Sequence, residues 1–445
     1  MQKSKKILIL GFVWAEPASS AAGSRTLEFI TLFRAQGWQV VFASAAALSE
    51  HRADLSALGV EEKSIQLNCD SFDVMLAEYQ PDIVLFDRFF TEEQFGWRVA
   101  RTCPQALRVL DTQDLHSLRH ARQLLLKQSQ QPCHNEITRQ SVPPVTASLA
   151  ELRHVMASED HSQREIAAIY RCDLSLMISD VEQAFLQTEF GVPAYLLHHC
   201  ALMLISPAND MPRPAFEERA HFLTIGNFRH APNWDSVLWL KHALWPKLRQ
   251  RLPQAQLHVA GSYPPPKASA LHNPAQGFHV IGWVPDAHAA MRQARVCLAP
   301  LRFGAGIKGK LADAMACGTP SVTTTIGCEG MTGNSADLRW GGAIADDAEY
   351  FVQAAVDLYQ DPAVWQQAQT RGDQIVQQRF DRPRIAAELL KALDDAGLHC
   401  AERRQANFVG LMLRHHQHKS TQYMSQWIAE KNRLAATGAT PPESV

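Results

Sequence analysis

The sequence predicts two doubly wound, Rossmann-like α/β domains with parallel sheets, facing each other across a cleft and followed by a C-terminal helix. Three observations carry this. Short apolar segments alternate with helical ones through the first 200 residues. A proline-bearing stretch at 206–217 interrupts that rhythm, and the same alternation then starts again. An amphipathic helical pattern is left over after the second alternation closes.

Taken in order, Ile7–Leu10, Val40–Ala43, Ile83–Phe86, Leu107–Leu110, Leu174–Ile178 and Tyr195–Leu197 read as strands of the first domain. They are short and continuously apolar, as expected of parallel strands buried on both faces. Lys3, Lys5 and Lys6 ahead of the apolar run Ile7–Ala15, with the small residues Ala18–Gly23 after it, imitate a secretory signal. Glu16 interrupts that run. The strand–loop–helix–strand order through Ala43 makes a complete βαβ unit instead. Residues 131–147 read as a loop, and one long helix is expected from about Ser148 to Arg171. Residues 206–218 read as a linker between domains at 1–205 and 219–395. The second domain has strand candidates at Phe222–Ile225, Leu257–Ala260, His279–Ile281, Val296–Ala299 and Ser321–Thr323. Its helices are expected at Asp235–Leu252, Asp286–Ala294, Ile307–Ala316, Ala348–Tyr359 and Ala363–Phe380. Residues 396–445 form a helical tail.

Composition narrows the function classes. With 445 residues, 46% apolar and 20% charged, the chain is long enough for two or three cores. Its 43 Lys+Arg and 45 Asp+Glu leave a net charge of −2, with no global signature of a nucleic-acid binder. No apolar run approaches the roughly 20 residues of a membrane span. The nine cysteines contain no Cys-x-x-Cys pair, which points to a reducing, cytoplasmic setting. His415, His416 and His418 imitate a metal cluster, but no carboxylate or cysteine completes it. Leu115–Lys127 is leucine-rich with a basic face, and leaves open a peripheral contact with a membrane.

The richest chemistry lies between Pro300 and Pro320. Gly304 and Gly306 free the loop backbone to approach a ligand, and the following helix turns its positive end towards that loop. Arg302, Lys308 and Lys310 add three cations, so the segment suits a diphosphate. In the first domain, Gly23 and Arg25 follow strand one, where a cleft-facing loop would admit acceptor or donor phosphate. Asp111, Asp114 and His116 cluster after a strand end, where a carboxylate or imidazole could bind the donor sugar or take a proton.

The Pro300–Pro320 segment resembles the phosphate loop of the group-1 glycosyltransferases, the large retaining family of GT-B fold. Ala314-Met-Ala-Cys-Gly-Thr-Pro320 and Thr323-Thr-Thr-Ile-Gly-Cys-Glu-Gly330 are similar to its continuation. Gly226-Asn-Phe-Arg-His-Ala-Pro-Asn-Trp-Asp235, His258-Val-Ala-Gly261 and Gly282-Trp-Val-Pro-Asp286 resemble later landmarks. Val109-Leu-Asp-Thr-Gln-Asp-Leu-His-Ser-Leu-Arg119 resembles a stretch of one subgroup's first domain, and the Arg-x-Gly-x-Gly form of the loop also resembles a subgroup. The sequence departs from the family's Glu-x7-Glu pattern, with Ala305 and Asp313 at those two positions, and Asn227 replaces the common Arg.

The resemblance implies transfer of a sugar from a nucleotide diphosphate sugar to a hydroxyl acceptor such as a glycan or glycolipid, in polysaccharide biosynthesis, with retention. The nucleotide sugar is a substrate, and no resident cofactor is implied. GT-A enzymes use a metal held by Asp-x-Asp; this sequence has no Asp-x-Asp, so no metal site is expected. His116, Arg302 and Lys308 are the expected catalytic groups. Gly23, Arg25, Asn227, Arg229, Gly304, Gly306, Lys310, Asp313 and Glu329 are expected at the donor, with Asp313 on the ribose. The tail should cross back to the N-terminal domain and cover it with Met412, Tyr423, Met424 and Trp427. Rival readings are a nucleotide-sugar epimerase on the same scaffold, or a catalytically silent protein that binds nucleotide or assembles a complex.

Overall fold

The computed structural model describes residues 4–131, 142–205, 213–333 and 337–436. The first sheet contains β1 (Lys6–Gly11), β2 (Gln39–Ser44), β3 (Glu61–Ser64), β4 (Ile83–Asp87), β5 (Leu107–Asp111), β6 (Leu174–Met177) and β7 (Leu197–His199). They are parallel, in the order β3-β2-β1-β4-β5-β6-β7. The second sheet contains β8 (Ala220–Ile225), β9 (Leu257–Ala260), β10 (Phe278–Gly282), β11 (Ala294–Ala299), β12 (Ser321–Thr323) and β13 (Gly342–Ile344). It too is parallel, in the order β10-β9-β8-β11-β12-β13.

Each order reverses at one point, between β1 and β4 and between β8 and β11. Loops leaving neighbouring strands on either side of such a point part to opposite faces and open a crevice at the carboxyl ends. The loops after β1, β4, β8 and β11 therefore face the cleft. They include Gly226–His230 and Pro300–Lys308.

The sequence pattern missed the edge strands. β3 is Glu-Glu-Lys-Ser, half exposed, and β13 is three residues long; neither offers the buried apolar run that marks a central strand. The expected strand at Tyr195–Leu197 begins with a 3-10 turn, Ala194–Leu196, and pairs only from Leu197. The expected single helix to Arg171 is two helices, Leu149–Ala157 and Asp160–Arg171. The helix expected at Asp235–Leu252 starts earlier, at Ala231, and runs through a π turn at Leu240–Leu244 into Trp245–Arg251. Pro246 explains the π turn: it has no amide to donate and its ring clashes with the preceding turn, which wider winding relieves. Residues 132–141 of the expected loop and 206–212 of the expected linker lie outside the described residues.

The chain crosses back earlier than residue 396. Leu204 and the Phe380–Arg382 turn exchange backbone hydrogen bonds. From there, Ile385, Leu389 and Leu393 on the helix Arg382–Leu398 join a buried cluster with Ile7, Phe29 and Trp38 of the first domain. Their i, i+4 spacing gives that helix one apolar face, and the first domain is what buries it.

The tail helix Phe408–Ala436 packs on the first-domain helices Arg88–Thr102 and Asp160–Arg171, but not with the expected face. Met412, Tyr423, Met424 and Trp427 are 45%, 64%, 59% and 61% exposed. Contact is made by Gly410, by Ser425, which accepts from Arg98 at 3.2 Å, and by Arg414, which donates to the Arg171 carbonyl at 3.1 Å. The surface met by the tail offers a helix's last carbonyls, which call for donors and close approach rather than apolar bulk. A Cβ at Gly410 would stand 2.2 Å from the Tyr170 carbonyl oxygen. Gly410→Val should therefore cost about 1–3 kcal/mol and expose the tail to limited proteolysis while the two domains stay resistant; an undigested tail would refute this contact.

Candidate active site

The wall contributed by the first domain begins where β4 and β5 end. Arg88 and Gln113 hold φ of 68° and 64°, a left-handed conformation that costs non-glycine residues roughly 1–2 kcal/mol. Behind them lies a buried network. Arg25 Nε donates to Asp111 Oδ1 at 3.0 Å, and Gln113 Nε2 donates to both Asp111 (2.8 Å) and Asp87 (3.0 Å). Arg25 also donates to the Ala201 carbonyl at 3.2 Å and is 0% exposed. The expectation of a donor contact at Arg25 is corrected accordingly: helix Ala21–Ala35 turns this side chain into the domain, where it neutralises Asp111. Gly23 is corrected likewise. A Cβ there would lie 2.3 Å from the Glu16 backbone, so the glycine admits its own loop rather than a ligand.

Asp114, His116 and Arg119, all largely buried, form the cleft-side edge of this wall. His116 Nε2 is 3.3 Å from Asp114 Oδ1, and Arg119 is ion-paired with the same carboxylate. Against the penalty of burial, Arg119 and His116 hold the Asp114 carboxyl well below the usual carboxylate range. Burial pushes the His116 imidazole down to about 3, with Asp114 opposing, so the ring is neutral at physiological pH. It is then a weak base and a good hydrogen-bond partner. Glu165 holds the start of the helix His116–Gln130 by accepting from the amides of His116 (3.0 Å) and Ser117 (2.7 Å).

The opposite wall comes from β8 and β11. Asn233 Nδ2 donates to the Asn227 carbonyl at 2.9 Å, while Asn227 Oδ1 accepts from the Arg229 amide at 2.8 Å. Lys310 Nζ reaches across to Asn233 Oδ1 at 2.7 Å. This ammonium, at the start of the helix Gly309–Ala316, therefore sits beside the loop after β8. Burial lowers its pKa to about 8. Lys308 is buried and donates to the Gly306 carbonyl at 2.7 Å. Gly304 and Gly306 occupy the crest of the loop. Gly306 has φ 64° and stands so close to Asp114 that a Cβ would approach the Asp114 Cβ at 2.7 Å. The two walls thus meet at the loop Pro300–Lys308. His230 is close enough to feel the charges of Asp114, Arg119 and Lys310 together.

Two expected groups, Arg302 and Arg229, stand away from the cleft wall, whereas Glu329 stays beside the loop. Arg302, 0% exposed, is committed to Asp235 (2.9 Å) and to the Val142 carbonyl (3.2 Å). It braces the loop from behind, which corrects its expected catalytic role. Arg229 lies over the Tyr263 ring at 3.7 Å, towards the domain junction. Glu329 is paired with Arg122 of the first domain, which also donates to the Gly304 carbonyl at 2.8 Å. Asp313 is half-buried, with His288 Nε2 at 3.5 Å. Sequence reading missed Arg119, Arg122, His230, Asn233 and Glu182. Asn233 and His230 lie in the Gly226–Asp235 stretch already singled out, and Arg119 and Arg122 lie on the basic face of Leu115–Lys127, read there as solvated; Glu182 had no signal.

The junction is latched at its far side. Tyr263 donates its hydroxyl to Glu16 at 3.1 Å, Trp283 Nε1 donates to the Ala18 carbonyl at 3.0 Å, and Ser262 Oγ donates to the Ser19 carbonyl at 3.2 Å. Among the described residues, no helix is long and apolar enough to cross a membrane, and no group of three or more His, Cys, Asp or Glu side chains is placed to hold a metal ion.

The site has a pH signature. Lys310 carries its charge below about 8 and loses it as pH rises through that value. Affinity for a diphosphate should be full below that point and fall above it, read by calorimetric titration; a flat profile from pH 7 to 9 would remove Lys310 from the binding site.

Comparison with known proteins agrees with this geometry. Residues 219–361 match the glycosyl transferases group 1 family. No curated protein sequence matches the chain. Among solved structures, a glycosyltransferase from Rickettsia africae is similar at 11% identity and a TM-score of 0.60, covering 88% of this chain and 99% of that one. Anabaena HepE in complex with UDP and glucose is similar at 14% identity and 0.59, over 88% and 99%. Sucrose-phosphate synthase from Thermosynechococcus elongatus is similar at 14% identity and 0.59, over 89% and 100%. The fold is GT-B, and residues 219–361 are a group 1 glycosyl transferase domain.

Proposed function

We propose that the chain transfers a sugar from a nucleoside diphosphate donor to a hydroxyl of a glycan or glycolipid, with retention and without a metal ion. One observation carries this reading: Lys308 and Lys310 stand at one loop and helix N-terminus, and Gly306 of that loop lies directly against Asp114 of the other domain. The bond from the sugar carbon to the diphosphate oxygen breaks, and a bond to the acceptor oxygen forms. Negative charge grows on the leaving diphosphate, where a partly buried ammonium and a helix terminus act in a medium of low dielectric. The acceptor's proton passes to the leaving phosphate oxygen, so no protein nucleophile is needed. Neutral His116 hydrogen-bonds a donor sugar hydroxyl, Asn227 lines the first phosphate, and Asp313 accepts from the ribose. Anabaena HepE, solved with UDP and with UDP-glucose, supports a uridine donor. The reading places the protein in the cytoplasm, with peripheral contact at the inner face of a membrane when the acceptor is a glycolipid.

Two measurements test it. A thermal-shift screen of nucleoside diphosphates and their sugars should show stabilisation of roughly 2.7 kcal/mol at 100 Kd of the right ligand. Turnover should survive EDTA; its loss there, with recovery on adding Mg²⁺ or Mn²⁺, would overturn metal independence.

A further inference from the structure

Gly306 is pinned from both sides. Its carbonyl accepts from Lys308 of its own loop at 2.7 Å. Its amide donates at 2.6 Å to Glu182 Oε1, a carboxylate of the first domain on the helix Asp180–Phe190. The same Oε1 accepts at 3.2 Å from the amide of Leu115, one residue ahead of His116. Glu182 is 0% exposed, and its other oxygen, Oε2, is buried without a partner among the described residues. Nothing assigned so far uses this group.

A buried carboxylate that leaves one oxygen unbonded is poorly explained as a stability device, because burial penalises its charge without full compensation. Its position explains it better. The loop offers no carboxylate of its own, since position 305 is an alanine buried with Leu115 and Leu118 of the first domain. An inward-pointing amide in a glycine loop needs an acceptor to hold one conformation. Here that acceptor arrives from the other domain. We propose that Glu182 is a positioning residue of the donor site: it fixes Gly306, and through the Gly306 carbonyl the Lys308 ammonium, so that the phosphate loop takes its binding shape only when the cleft is closed. The proposal rests on the loop being the donor site.

The test is calorimetric titration of the full chain with whichever of UDP, GDP and ADP binds most tightly. Glu182→Ala should weaken binding by about tenfold, a modest misplacement by the standard of site geometry. Glu182→Gln should lose about threefold, because its amide oxygen accepts the same two bonds without the charge. Glu182→Asp, shorter by one methylene, should fall between them. The decisive reading is a double-mutant cycle with Lys308→Ala. If Glu182 acts through Lys308, the second substitution costs little once the first is made, whereas a merely structural role gives additive losses. Wild-type affinity in Glu182→Ala, or additivity in the cycle, overturns the proposal. If Glu182→Ala does not fold, the Gln and Asp variants carry the same cycle. Failure of the unmodified chain to bind any of the three nucleotides would instead overturn the donor-site reading.

Discussion

Lys310→Met is expected to cut turnover by about 10²- to 10³-fold, a loss of roughly 2.7–4 kcal/mol in transition-state stabilisation, while the melting temperature holds or rises. The two halves of this expectation have one cause. Lys310 is largely enclosed, and among the described residues its ammonium meets one neutral acceptor, Asn233 Oδ1 at 2.7 Å. Enclosure already pushes its pKa down to about 8, so the charge is held at a cost to the folded state. Such a group is poor for stability and well suited to a diphosphate, which completes its coordination. Methionine keeps the volume and removes the charge. Lys308→Ala should also impair turnover, because it removes a cation and frees the Gly306 carbonyl. Steady-state kinetics with a thermal melt on the same sample checks both halves. Full turnover in both variants would mean that the loop does not hold the leaving group.

Arg25→Ala is expected to do the reverse, with a loss of about 3–5 kcal/mol of stability and no specific loss of donor affinity in the protein that remains folded. Both partners of the Arg25–Asp111 pair are buried, at 0% and 2% exposure. Without the guanidinium, Asp111 keeps an uncompensated charge beside Asp87, and the Ala201 carbonyl loses its donor. The melting temperature should fall on the order of 10 °C. Nucleotide titration below the new melting point decides the matter: unchanged Kd supports a structural Arg25, and a stable variant with lost binding would return it to the donor site.

Much of this was legible in the residues. The central strands read directly as buried apolar runs, because a strand covered on both faces must be apolar throughout. The loop Pro300–Lys308 could be singled out from sequence because its chemistry is local: glycines, cations and a helix start lie within a few residues of one another. Lys308 and Lys310 stand in that loop, and the structure sets Lys310 beside Asn233 across the crevice.

Other features were decided only by tertiary structure. Residue type does not reveal on which side of a sheet a helix lies, so Arg25 and Arg302 read as ligands although the fold pairs them with Asp111 and Asp235. Glu182 and Arg122 reach the loop from more than a hundred residues away, and no local pattern announces a contact made by domain closure. The edge strands β3 and β13 escaped because half-exposed strands need no apolar run. The tail's helix was legible from its periodicity, but its buried face was not. Carbonyls at the end of the helix Asp160–Arg171, together with Arg98, set that face through Gly410, Arg414 and Ser425, and left the aromatic residues in solvent. Periodicity fixes that a helix has two faces; the partner surface fixes which one is inside.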